Sequence, residues 1–406
     1  MQKFEKHSPV VVTEVTTKHE LRQFMQYPNR LYADNPNYIP SFYGDDLSDW
    51  TPGKNPAFDY CEARCWLARR DGEIVGRIGA ILSHKANDKF GTHRIRFSQV
   101  DFVDDSEVSA ALFGTVERWA REKGCDQVHG PLGFTDMDRE GMLVEGFDRR
   151  SLFFTNYNAP YYLEHLTRLG YRKDVDWIEY RITVPEPGGA EAERLHKLSE
   201  FILKRKHLHV ATVHHKSEYG PFVRQVFELV NAAYAPLYGV VELSDEQIER
   251  YANKFIPLVD PDFVCFVVDE QDQLVAFGVT ALDPSVALKH SDGRLFPFGW
   301  AGVLNDLHHS DTLIMLLTAV RPDLQTEGIN AVMMDHVCQS CNRHGVRFAE
   351  TGPMLELNDH ILAQWKRLEK EQHKRRRCFI KDLDHDVNAA NAAAAQTETP
   401  ESESAE

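Results

Sequence analysis

Leu313-Ile-Met-Leu-Leu-Thr-Ala-Val320 runs directly into Arg321-Pro-Asp-Leu-Gln-Thr-Glu-Gly-Ile-Asn-Ala331, and the pair reads as a strand, a loop and the start of a helix. The first part is an unbroken apolar run of strand length. Apolar residues then recur at Ile329, Val332, Met333 and Val337, the spacing of one helix face, as far as Arg343. Gly328 allows the main chain a tight turn and a close approach to a ligand. A loop that opens into a helix presents amides without partners, and the helix dipole favours an anion beside them. Gln325, Thr326, Gly328, Ile329, Asn330 and Ala331 are therefore the expected cradle for an anionic group. Glu327 is out of place there unless its carboxylate points away.

Outward from this junction, the same order of elements occurs twice. Cys65–Ile81 reads as strand, Asp-Gly turn and strand, and Val264–Leu282 reads the same way. An amphipathic helix follows in each half, Val108–Lys123 and Ile329–Arg343, each stopped by a glycine, Gly124 and Gly345. Short strands then lead to Gly130-Pro131 and Gly352-Pro353, and helices are expected over 159–169 and 359–371. The final segments, 177–184 and 378–383, read as strands. The expected organisation is a first domain at 1–184, a Pro/Gly-rich linker at 185–197, a second domain at 198–383 and an acidic, disordered tail at 384–406.

The chain has 406 residues, 46 Lys+Arg and 62 Asp+Glu, a formal charge of −16. Hydrophobic residues are 42% and charged residues 27%, enough for packed cores. The negative balance argues against nucleic acid as a partner. The start reads as free of a secretion signal, and the longest apolar run is far short of a membrane span. Seven cysteines, an odd number, are read as reduced structural thiols, with no metal expected. A cytoplasmic protein follows, with a peripheral position at the inner membrane face entertained for it.

Hairpin, strand, loop, helix, strand, helix, strand resembles the Gcn5-related N-acetyltransferase (GNAT) fold, and Gln325 and Gly328 fit its phosphate-loop signature, with Asn330 at the last position. Gly130–Asp148, Tyr157-Asn-Ala-Pro-Tyr-Tyr162, Val259-Asp-Pro-Asp262 and Gly293–Gly299 resemble a bacterial family of tandem GNAT-like proteins. The resemblance implies an α+β protein of two GNAT-like domains, each a mixed, mainly antiparallel sheet flanked by helices. It implies acyl-CoA as co-substrate and an amine as acceptor. Some bacterial ceramide synthases resemble members of this group, which implies a long-chain acyl group and a sphingoid base. It also implies that Ala319 and Val320 lie nearest the acyl group and that Asn358 touches the pantetheine arm. Two other readings stay open: a tRNA-dependent aminoacyltransferase on tandem GNAT-like halves, and a non-catalytic module that binds acyl-CoA or a partner.

The first half has Val100–Glu107 at the junction equivalent to the phosphate loop. It is acidic and without glycine, so Asp105 or Ser106 is expected to cap the helix and the coenzyme site to lie in the second half. N-acyl transfer needs a neutral amine and a base to take its proton. Glu350, on a strand beside the site, is the expected base, with Glu356 second. Glu140, in the polar loop Asp136–Glu145, is expected to orient the amine, and Tyr157 to reach across from the first half. The basic run Lys366–Arg377 is read as a charged helix face, or as a contact for the coenzyme's ribose phosphate or an anionic membrane.

Overall fold

A computed structural model describes residues 8–383, so the expected acidic tail lies outside the described residues. The first half runs β1 (Val11–Glu14), α1 (Lys18–Leu31), α2 (Tyr43–Asp49), β2 (Cys61–Arg70), β3 (Glu73–Ser83), α3 (His84–Phe90) and β4 (Arg94–Phe102). It continues with α4 (Ser106–Glu122), β5 (Gln127–Gly130), β6 (Met142–Glu145), α5 (Tyr162–Arg168) and β7 (Arg172–Thr183). The second half opens with α6 (Ala190–Lys206), β8 (His209–Val210), α7 (Gly220–Tyr234), α8 (Asp245–Phe255), β9 (Val264–Val268) and β10 (Leu274–Leu282). Next come α9 (Ser285–His290), α10 (Gly299–His309), β11 (Thr312–Val320), α11 (Asn330–His344), β12 (Phe348–Glu350), β13 (Met354–Leu355), α12 (Asp359–Ala363) and β14 (Lys370–Asp382).

Local chemistry accounts for the repeated frame. Asp71 and Gly72 both take positive φ, 52° and 83°, as the tight turn between β2 and β3 requires. Gly124 and Gly345 sit at φ 71° and 70° just past α4 and α11, the left-handed stop that glycine adopts without strain. Val108, Leu112, Val116 and Trp119 of α4 are all buried against the first-half sheet. Asp105 caps α4, accepting from the amides of Glu107 (2.8 Å) and Val108 (3.4 Å). A carboxylate thus already occupies the place a phosphate would take.

The strands form one sheet in the order β1-β2-β3-β4-β5-β14-β7-β12-β11-β10-β9-β8, with β6 on β14 and β13 on β7. Among the described residues, only β4–β5 and β11–β12 pair in parallel. The halves exchange their last strands: β14, from the end of the second half, lies between β5 and β7, and β7 pairs β12. Three expectations change here. The helix expected over 359–371 stops at Ala363, and the basic run is mostly strand, because Lys374, Arg376 and Cys378 alternate inward between two neighbours. Residues 190–197, expected as linker, open α6; the prolines and glycines that break structure end at Gly189, and good helix formers follow.

Candidate active site

The site starts where two strands part. β11 pairs with β12 only over Thr312–Ile314, while its other edge follows β10 to Val320. A register shift opposite Val279/Thr280 makes Leu316 an extra, bulged residue. Beyond it, Ala319 stands opposite Phe277 and the Arg321 amide bonds the Val275 carbonyl at 2.8 Å. By alternation, Thr318 and Val320 turn their amides and carbonyls into the gap. The Tyr234 hydroxyl donates to the Thr318 carbonyl at 2.7 Å, and Gln325 Nε2 to the Val320 carbonyl at 3.4 Å. So Val320 faces the gap while Ala319 is taken up by β10. Thr318 is the position missed, because a bulge shifts the period-two count invisibly.

An apolar chamber lies on each side of the gap. The first, about 240 Å³, is walled by Val226, Phe227, Phe255, Phe266, Val279 and Leu316, with Asp136 and Glu140 among its lining residues. The second, about 180 Å³, runs under α11 and α12, past Met333, Met334, Val337 and Trp365. Tyr234, Leu316, Leu317 and Gly352 line both, so the chambers meet at the splayed strands.

Asn330 lines the second chamber, at the start of α11 beside the loop. Among the described residues, the amides of Gln325, Thr326, Gly328 and Ile329 have no protein acceptor; Ala331 is already bonded, to the Gly328 carbonyl at 2.9 Å. Gly328 takes φ 82°, and a Cβ there would meet Ile202 Cδ1 at 3.2 Å. Lys206, at the end of α6, holds Glu327 at 2.6 Å, so the carboxylate that looked repulsive is paired with a cation. Lys204-Arg-Lys206 at the end of α6 thus brings positive charge to the loop. The loop's free amides and this basic helix end fit a diphosphate.

The carboxylates sort by partner. Asp138 accepts from the amides of Phe134 (2.8 Å) and Thr135 (3.2 Å) and from Tyr251, and holds the loop in shape. The Asp136 carboxyl bonds only its own amide, and Glu140 has no hydrogen-bond partner among the described residues. Burial pushes the Asp136 carboxyl up to about 6. Burial, with the Asp136 charge added, holds Glu140 well above the carboxylate range.

Glu350, the expected base, is buried and paired with Lys374 at 3.3 Å, and it does not line either chamber. On β12 it alternates with Ala349, which faces α11 and the second chamber, so its own side chain meets β14 instead. Glu356 is bonded to Lys173 and Arg375. Tyr157 packs among Tyr32, Tyr38 and Leu143, accepts from Asn35 at 2.6 Å and lies away from both chambers. Asn358 caps α12, accepting the Ile361 amide at 3.2 Å. All seven cysteines are buried free thiols. His129, Asp174 and Cys378 cluster at metal-ligand range, and the Tyr238 hydroxyl bonds all three.

No family model matches the chain. It is similar to a solved tandem GNAT protein from the clavulanic acid biosynthesis pathway, with a TM-score of 0.52 at 14% identity, over 92% of this chain and 98% of that one. The chain has the tandem GNAT fold. A GCN5-related N-acetyltransferase from Sphaerobacter thermophilus matches with a TM-score of 0.50 at 12% identity, over 92% and 95% of the two chains. In sequence, this tandem GNAT chain is 27% identical to protein YghO of Escherichia coli (strain K12) over 379 residues, 92% of this chain and 95% of the relative. It is 28% identical to the bacterial ceramide synthase of Caulobacter vibrioides (strain NA1000 / CB15N) over 303 residues, 72% of this chain and 75% of the relative. The fold is therefore α+β with two GNAT-like units in tandem, as the motifs implied. No helix among the described residues is long and apolar enough to cross a membrane.

Proposed function

We propose that the protein transfers an acyl group from coenzyme A to the primary amine of a long-chain amphiphile of the sphingoid-base class. One observation carries the reading: an apolar chamber with two unpartnered carboxylates opens, at the parted strands, onto a second chamber bordered by Asn330, next to the amide-rich loop. The relative named as a ceramide synthase supports the lipid half of it. In this reading the diphosphate sits on residues 325–330 beside Lys206, and the pantetheine arm follows the second chamber to the gap. The acceptor's hydrocarbon chain fills the first chamber, with its nitrogen toward Glu140 and Asp136. The nitrogen attacks the thioester carbon, a C–N bond forms and the C–S bond breaks. The amine proton passes to Glu140, and the departing thiolate takes the Tyr234 proton. The Thr318 and Val320 amides are the donors for the oxygen that gains charge. The protein acts from the cytoplasm at the inner membrane face.

Calorimetric titration with acetyl-CoA and palmitoyl-CoA, then turnover with sphinganine, tests this; no heat with either coenzyme would sink it. Gly328→Trp is expected to raise the acyl-CoA Kd at least tenfold with far-UV circular dichroism unchanged, because the side chain fills the diphosphate position. Tyr234→Phe is expected to lower kcat roughly 10- to 100-fold with little change in KM. An unchanged kcat would assign thiolate protonation to solvent.

A further inference from the structure

Ten large apolar side chains stand exposed among the described residues, and five of them, Val286, Phe296, Phe298, Trp300 and Leu304, lie between 286 and 304. Single exposed apolar residues are ordinary; a cluster marks a contact surface. This cluster is also built. A Cβ on Gly293 would lie 1.9 Å from the Ser41 carbonyl oxygen, and one on Gly299 would lie 1.9 Å from that of Arg294. The Tyr43 amide bonds the Gly293 carbonyl at 3.0 Å, and Trp300 Nε1 bonds the Pro297 carbonyl at 3.1 Å. The loop is pinned at both ends, with Phe296 81% and Phe298 79% exposed. On α10, Val303 and Leu307 face inward while Trp300 and Leu304, one turn apart, face out.

The cluster is continuous with the acceptor chamber. Leu295 and Phe296 line a cleft of about 880 Å³. Phe42 and Leu258 belong both to that cleft and to a cavity of about 90 Å³. Met137, Phe154 and Phe255 belong both to that cavity and to the acceptor chamber. Basic Lys54, Arg250, Lys254 and Arg294 mix with acidic Asp45, Glu246 and Glu249 around the cleft, and Asp49 pairs both Arg250 and Lys254, so no net charge selects an anionic partner. Aromatic rings standing clear of the surface are suited to the interfacial zone of a bilayer. A hydrophobic occupant also matches an apolar path that leads inward.

We propose that the Phe296–Trp300 loop and the outer face of α10 dock the protein on a lipid bilayer by apolar insertion, and that the cleft beneath admits a bilayer-borne amine. The entry part rests on the acceptor reading above; the docking part does not. The full chain is mixed with phosphatidylcholine vesicles carrying brominated acyl chains. Of the six tryptophans, only Trp300 is exposed among the described residues, so quenching on vesicle addition reports its insertion. Quenching that persists in 0.5 M salt is expected. Partition of F296S/F298S should be at least tenfold weaker, with turnover lost for sphinganine in vesicles and kept for a short water-soluble amine. No quenching, equal quenching in F296S/F298S, or binding only to phosphatidylglycerol vesicles at low salt would overturn docking by insertion. A concentration-dependent dimer that F296S/F298S abolishes, without vesicle binding, would overturn it in favour of a second copy. Vesicle binding without turnover of any amine would remove the acceptor reading and leave docking in place.

Discussion

Asp136→Asn combined with Glu140→Gln is expected to lower kcat/KM for the amine about a thousandfold while the Kd for acyl-CoA stays unchanged. Both carboxyls line the first chamber, and neither is held by a hydrogen bond to another described residue. A long-chain amine arrives as an ammonium and must lose a proton before its nitrogen can attack. A positioned base supplies about 10²- to 10⁴-fold, and a carboxylate with a raised pKa holds the proton more readily at neutral pH. Two adjacent carboxyls in apolar surroundings also attract a cation, so the double change removes binding and proton transfer together. Glu350→Gln, by contrast, should leave turnover near normal, since Glu350 is paired with Lys374 and stands outside the chamber. Steady-state kinetics and calorimetry on the same preparations decide the matter. A full-rate double variant would assign deprotonation to water.

The same pair gives a pH signature with a defined sign. Burial raises both carboxyls in the folded chain, Asp136 from 3.8 to about 6. Between these values the folded state binds protons that the unfolded state releases. Stability associated with Asp136 is therefore full below about pH 4 and is lost as pH rises through 6, at most about 3 kcal/mol in all. The double variant should melt higher than the parent at pH 8 and no higher at pH 4. Activity runs the other way: the parent's kcat/KM should rise with pH as the carboxyls ionise, and the variant's acid limb should vanish. A gain in stability with a loss of activity is what a strained functional site predicts.

Much of the frame was legible because it is written in local chemistry. The Asp71-Gly72 turn, the glycine stops at 124 and 345 and the strand-loop-helix junction at 320–330 each depend on a few adjacent residues. The loop Asp136–Glu145 was legible as a crowd of polar side chains, with Glu140 singled out, while only the fold distinguishes Asp138, tied to the amides of Phe134 and Thr135, from Asp136. Three misses share a different cause. Lys374 and Arg376 looked like a solvated face because strand alternation is hidden when the inward residues are charged. Glu350 looked available because its cation lies 24 residues on, across an exchanged strand. Tyr234 carried no motif; its place at the Thr318 carbonyl is set by how α7 packs on β11. Sequence patterns report on neighbours along the chain, and these contacts are long-range.

Lys374→Ala is expected to destabilise the protein by about 3–5 kcal/mol, because it strips a buried cation from two carboxylates. Lys374 Nζ lies 3.1 Å from Glu179 and 3.3 Å from Glu350, and Arg376 completes the group through Glu179 and, at 2.9 Å, Thr155. Burial alone would raise Glu179; the Arg376 and Lys374 charges outweigh it and hold its pKa at about 2. That stability is present above about pH 4.5 and is lost as pH falls toward 2, so the variant should also unfold at higher pH on acid titration. Urea unfolding at pH 7 measures the first effect, and Lys374→Met with Glu350→Gln should recover part of it by removing a charge along with its partner. The network matters beyond its energy because of where it lies. Glu179 is on β7 and Lys374 on β14, the two exchanged strands, so breaking it loosens the joint between the halves. The exchange makes a stronger demand on the expected domains. A chain of residues 1–186 lacks β14 and leaves β5 and β7 as open, partly apolar edges, which invite aggregation. It should be insoluble alone and become soluble when produced with residues 187–406. If the first fragment instead melts cooperatively by itself, the two units are independent and the exchanged strand is an ornament on each.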